Sequence, residues 1–227
     1  MEDIKKEKYI ENATSSVFIN GIETILNQMK KCICKIYGKN EMCSTGFFCK
    51  IPFPDAEHLL PVLVSTDFAI DAEKIVTKIS LNDENEFREL KLDGKRKLFL
   101  NKKLNCGIVE IMPEDKINDF IELDESVLKG IKTEVGEFYY RKKSVYLLQY
   151  LKGEKVAMNS GIIKKKDDTK IMHLCNTEMG SSGAPIILLD NFKVVGFHLG
   201  SSKQFDENFG ILLQYPIVEF NKKNAGI

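Results

Sequence analysis

The sequence predicts an all-β protein: two packed antiparallel six-stranded β-barrels, with a short amphipathic helix before them and a short helix at the C-terminal end. Three observations carry this. Two sets of short segments rich in β-branched and aromatic residues run along the 227-residue chain. A charged stretch with few strand signals, residues 113–137, separates them. Hydrophobic residues make up 43% of the chain, enough apolar material for one two-part domain or two small ones.

Each element follows in order. Residues 1–16 are polar and charged. A helix then begins, with Asn20 as its expected cap and Glu23 three positions later as in a capping box. Ile22, Ile25, Leu26 and Met29 form an apolar stripe at helical spacing, expected to pack on a barrel. The first set of strands is read at 32–37, 44–51, 60–65, 87–92, 97–100 and 107–111, with turn signals at Gly38-Lys39-Asn40, Pro52-Phe53-Pro54-Asp55 and Asp93-Gly94. The second set is read at 144–150, 156–164, 170–174, 184–189, 192–199 and 210–213. Asp190-Asn191 is expected to make a tight hairpin, Lys164-Lys165-Lys166-Asp167-Asp168 a solvated hairpin tip, and Pro216 to start the last helix. The implied division is residues 1–30 for the N-terminus and helix, 31–125 for the first barrel and 126–227 for the second.

Composition excludes several functions. Lysine plus arginine equal aspartate plus glutamate at 33 each, so no net field recruits nucleic acid or an anionic membrane. The longest apolar runs, such as 59–64 and 186–189, are far too short to span a bilayer. No apolar segment follows the charged N-terminus, so the expectation is a cytoplasmic chain with reduced thiols. The sequon Asn12-Ala13-Thr14 then carries no weight. There is no Cys-x-x-Cys pair and the three histidines are scattered, so neither a metal nor another cofactor is expected.

One segment carries chemistry: Asn176-Thr177-Glu178-Met179-Gly180-Ser181-Ser182-Gly183-Ala184-Pro185, followed by an apolar run. Its glycines let the backbone turn sharply enough to aim two N–H groups at one spot. The segment resembles the nucleophile loop of trypsin-like serine proteases. Ser44-Thr45-Gly46-Phe47-Phe48 is similar to a strand that precedes the catalytic histidine in that family, and Val194-Val195-Gly196-Phe197-His198-Leu199-Gly200 is similar to its pocket-wall strand. The resemblance implies Ser182 as nucleophile and the N–H groups of Gly180 and Ser182 as an oxyanion hole. It is closest to the glutamyl-endopeptidase-like branch. That branch implies a pocket of Thr177, His198 and Ser201 that donates hydrogen bonds to an acidic side chain, with His198 charging as the carboxylate enters.

The same resemblance exposes a departure. In Val64-Ser65-Thr66-Asp67-Phe68, Phe68 stands where the family has its catalytic histidine; in Asn105-Cys106-Gly107-Ile108-Val109, Asn105 stands where it has aspartate. A serine hydroxyl is a poor nucleophile unless a neighbouring base takes its proton. His58, His173 and His198 are not placed by sequence to supply it, and Asp67 is a weak base for the task. The expectation is an inactive protease homologue that binds a peptide or protein, possessing an acidic residue in the branch reading. The alternative is an active endopeptidase with a nonstandard base and acidic specificity.

Overall fold

The computed structural model describes residues 16–38, 43–70, 76–81, 87–129, 138–202 and 207–224. The sequon at Asn12 and the polar N-terminus through residue 15 lie outside them.

Helix α1 (Ile19–Lys31) opens the described chain. It begins one residue before the expected cap: Phe18 holds the cap position without a side-chain bond, and Asn20 lies inside the first turn, where its Oδ1 accepts from the Gly21 N–H at 3.0 Å. The helix rests on the protein along Gly21, Ile25 and Gln28. Gln28 fixes it to the second half of the molecule, donating from Nε2 to the Phe192 carbonyl at 2.9 Å and accepting from the Tyr146 hydroxyl at 2.6 Å. The apolar stripe is wider than this line of contact. Ile25 is buried, but Ile22 and Leu26 stay exposed, contrary to the expected packing.

A seven-stranded antiparallel sheet follows: β1 (Ile33–Tyr37), β2 (Cys43–Pro52), β3 (Leu59–Ser65), β4 (Val76–Leu81), β5 (Arg88–Lys91), β6 (Leu98–Asn101) and β7 (Cys106–Glu110). Their spatial order is β5-β4-β1-β2-β3-β7-β6, and among the described residues the ladder does not close. The sequence reading expected six strands and missed β4, a short run set among charged residues. The second half is a closed six-stranded barrel of β8 (Ser144–Tyr150), β9 (Val156–Asp167), β10 (Lys170–His173), β11 (Pro185–Leu188), β12 (Val194–Ser202) and β13 (Glu207–Leu212), in the order β10-β13-β12-β11-β8-β9. The all-β class and the double-barrel plan hold.

Three local expectations change. The β11–β12 connection spans residues 189–193 rather than a two-residue turn. Asn191 is held there by two bonds, accepting from the Lys193 N–H and donating to Asp124. Lys164, Lys165 and Lys166 belong to β9, and the hairpin tip is Asp168-Thr169, with Asp168 at φ 50°. Helix α2 (Gln214–Asn224) has Pro216 as its third residue, still within the turn whose N–H groups lack helical partners.

Strands β2, β3 and β7 carry apolar residues on both faces because both faces are buried. Phe48, Leu63 and Val109 point into a core private to the first sheet. Phe47, Val62, Val64 and Ile108 point the other way, into a larger core shared with Tyr146, Ile186 and Phe220 of the second half. Helix α2 reaches back to seal this shared face: Phe220 packs edge-on against Phe53 and Phe99. The connection between the halves is pinned by Asp124, a buried carboxylate that accepts from the Tyr140 hydroxyl at 2.6 Å, the Ser126 N–H and Asn191 Nδ2.

Where that connection leaves β7, Arg96 and Asp115 form a buried bidentate pair, 2.8 and 3.1 Å, both side chains 4% exposed. Asp115 also accepts from the Met112 N–H. Breaking such a pair from one side strands a buried charge. Asp115→Ala is therefore expected to cost about 3 kcal/mol or more in urea unfolding, whereas a loss below about 1 kcal/mol, the range of a surface pair, would contradict the burial.

Candidate functional site

The nucleophile-loop segment lies between β10 and β11, and its backbone is held by the first sheet. The Thr45 N–H of β2 donates to the Ser182 carbonyl at 2.9 Å, and Thr45 Oγ1 donates to the Gly180 carbonyl at 2.8 Å. Thr45 Oγ1 in turn accepts from the Tyr150 N–H. Two glycines make this approach possible. Gly180 has φ 93° and Gly183 φ 89°, and a Cβ on Gly183 would sit 2.1 Å from the Thr45 carbonyl oxygen.

Ser182 is half-buried, and its Oγ donates to the Leu199 carbonyl at 3.0 Å. Among the described residues the N–H groups of Gly180 and Ser182 have no backbone acceptor, whereas the Gly183 N–H donates to the His198 carbonyl at 2.8 Å.

Phe68 and Asn105 belong to the same end of the first sheet. Ser65, three residues before Phe68, is the ladder partner of Gly107, two residues after Asn105. The Ser65 Oγ lies 2.4 Å from where a Gly183 Cβ would be, so this end abuts the nucleophile loop. Phe68 is 54% exposed. Asn105 is exposed and left-handed at φ 46°, a conformation asparagine tolerates. Asp67 turns toward β7: burial first, then the Asp67 carboxylate, pushes the Cys106 thiol well up. His58 is remote from the loop and bonds to Asp55 at 2.8 Å.

The pocket residues gather around β13. Asn208 of β13 is the ladder partner of His173 on one side and Ser201 on the other. Thr177 Oγ1 donates to Asn208 Oδ1 at 2.8 Å, and Asn208 Nδ2 donates to the Cys175 carbonyl at 2.7 Å. His198 is only 2% exposed, and its Nδ1 faces Nε2 of the fully buried His173 at 3.1 Å. Burial lowers both rings, His173 to about 4 and His198, with His173 adding a smaller push, to about 3. Without a ligand, His198 has no buried carboxylate beside it, so its imidazolium would lose hydration and gain nothing in return. Sequence reasoning passed over Asn208 and gave His173 no role. Neither sits in a motif, and only the β10–β13–β12 register brings them to the pocket. Among the described residues no cluster of three or more His, Cys, Asp or Glu side chains could hold a metal ion, and no helix is long and apolar enough to cross a membrane.

The histidine pair has a stability signature. Both rings are neutral when folded but protonate near pH 6.5 when unfolded. Their contribution is fully present above about pH 6.5 and is lost as pH falls toward about 4 and about 3, by at most about 1.4 kcal/mol per pH unit for each ring. Urea midpoints taken at about pH 7, 6 and 5 should fall less steeply for a His173→Phe, His198→Phe double variant than for the wild type. Equal slopes would mean that the rings are not held neutral.

No protein-family model matches the chain, and no curated protein sequence matches it. Solved structures do. The chain is similar to the Rv3671c protease in its inactive form, with a TM-score of 0.60 and 13% identity over 95% of this chain and 100% of that one. It is similar to the active form of the same M. tuberculosis protease, with a TM-score of 0.60 and 13% identity over 92% and 87%. A serine endoprotease from Yersinia pestis matches with a TM-score of 0.63 and 10% identity over 94% of this chain and 69% of that one. Active and inactive forms match equally well, so the likeness speaks to architecture and not to turnover. With its seven-stranded sheet, closed six-stranded barrel and glycine-turned serine loop between them, the chain has the fold of the trypsin-like serine proteases.

Proposed function

We propose that the protein is a catalytically inactive trypsin-like protease homologue that uses the retained cleft and pocket to bind a peptide or protein segment. One observation carries the reading: the Ser182 hydroxyl donates to the Leu199 carbonyl, while the residue at the histidine position of the resemblance is an exposed phenylalanine. Phe68 can neither accept the serine proton nor return it to a leaving group. Asn105, exposed and uncharged, supplies no carboxylate to orient an imidazole. Without the histidine, binding and oxyanion contacts alone are worth only roughly 10³–10⁴ over water. The binding half of the reading is supported by Thr177, His198 and Ser201 being drawn together around Asn208 and His173, and by two exposed large apolar side chains, Phe68 and Met179.

A fluorophosphonate probe tests the inactive half. An activated serine reacts quickly, so the expected result is no labelling of Ser182 and no cleavage of peptide libraries. Labelling abolished by Ser182→Ala would sink the reading and favour an active endopeptidase with a nonstandard base and acidic specificity.

A further inference from the structure

The direction of each proton around the pocket is set by groups behind it. Asn208 Nδ2 donates to the Cys175 carbonyl, which turns Oδ1 toward Thr177. Thr177 must then donate its only hydroxyl proton to Asn208, at 2.8 Å, so it offers a ligand lone pairs. The Cys175 N–H points at His173 Nδ1, at 3.3 Å, so that nitrogen accepts and the His173 proton resides on Nε2. That N–H donates to His198 Nδ1 at 3.1 Å, leaving the His198 proton on Nε2, where it has no acceptor among the described residues. The pocket thus presents one fixed donor, His198 Nε2–H, and one fixed acceptor, Thr177 Oγ1, with the exposed Ser201 hydroxyl free to serve either way.

We propose that this pocket selects an uncharged carboxamide side chain, glutamine or asparagine, from the bound peptide, in place of the acidic side chain that the family resemblance implies. The carboxamide oxygen accepts from His198 Nε2–H and its NH₂ group donates to Thr177 Oγ1. The proposal rests on the reading that the cleft binds peptides. A carboxylate has no proton for Thr177. It would meet the hydroxyl's lone pairs, or it would draw the hydroxyl proton away from Asn208 and leave Oδ1 without its donor. Among the described residues, the facing imidazoles are a neutral buried pair, and Glu178 pairs with Lys152 and Glu207 with Lys164. His173 is in these terms a positioning residue: it touches no ligand but decides which nitrogen of His198 carries the proton.

The test uses the full chain and three peptides, acetyl-Ala-Ala-Ala-X-Ala-amide with X as Gln, Glu or Met, titrated to millimolar concentration while the imidazole ¹⁵N resonances are followed. The Gln peptide should bind at least about tenfold tighter than the Glu or Met peptide, the margin expected when one polar group is left unmatched. His198 should show the Nε2–H tautomer, a readout that needs no variant. Thr177→Val and His198→Phe should each erase the preference for Gln over Met. Glu or Met binding as tightly as Gln, or an Nδ1–H tautomer at His198, would overturn the carboxamide assignment and leave peptide binding standing. Failure of all three peptides to bind would overturn both.

Discussion

The two halves of the molecule meet at Thr45. This residue is fully buried, and every polar group it owns is used across the junction or beside it. Its N–H and hydroxyl hold the carbonyls of Ser182 and Gly180, its hydroxyl oxygen accepts from the Tyr150 N–H, and its carbonyl accepts from Ser65 Oγ. Each bond contributes only about 1 kcal/mol net, but leaving any of these buried groups unmatched costs about 1–3 kcal/mol. The contact requires that Gly183 carry no Cβ, because a β2 carbonyl oxygen occupies that space. The serine loop is therefore a property of the junction: neither half holds it in place alone.

The packing around the junction has the same logic. The first sheet buries a private core on one face and lends the other to a core shared with the second barrel and α2. Dual burial is why β2, β3 and β7 read as nearly continuous apolar runs instead of alternating ones. The described part of the connection between the halves passes over this shared face, where Asp124 accepts from the Ser126 N–H and the Phe48 carbonyl accepts from the Ile121 N–H.

Two sites with different electrostatics sit side by side on this frame. At the cleft, a serine hydroxyl turns to a backbone carbonyl, with an exposed aromatic side chain on the neighbouring loop. In the pocket, a chain of hydrogen bonds from the Cys175 N–H through His173 to His198 fixes proton positions without any charge. Burial disfavours the imidazolium of both rings.

Much of this was legible in the amino-acid order. Strand-length runs of Val, Ile and aromatic residues mark twelve of the strands, and Gly180 and Gly183 around Ser182 mark the sharp loop, because those signals depend on local backbone preferences. The charge and hydrogen-bond direction at His198 were not legible. They depend on His173, which lies twenty-five residues away in sequence and reaches His198 only through the β10–β13–β12 register. The exposure of Ile22 and Leu26 was likewise decided by tertiary structure: helical spacing defines an apolar stripe, but only the shape of the surface beneath sets how much of it is covered. The sequence by itself determined where the chain turns and which residues can be buried. Tertiary structure decided which buried polar groups face one another, because that depends on distances between strands that no local pattern encodes.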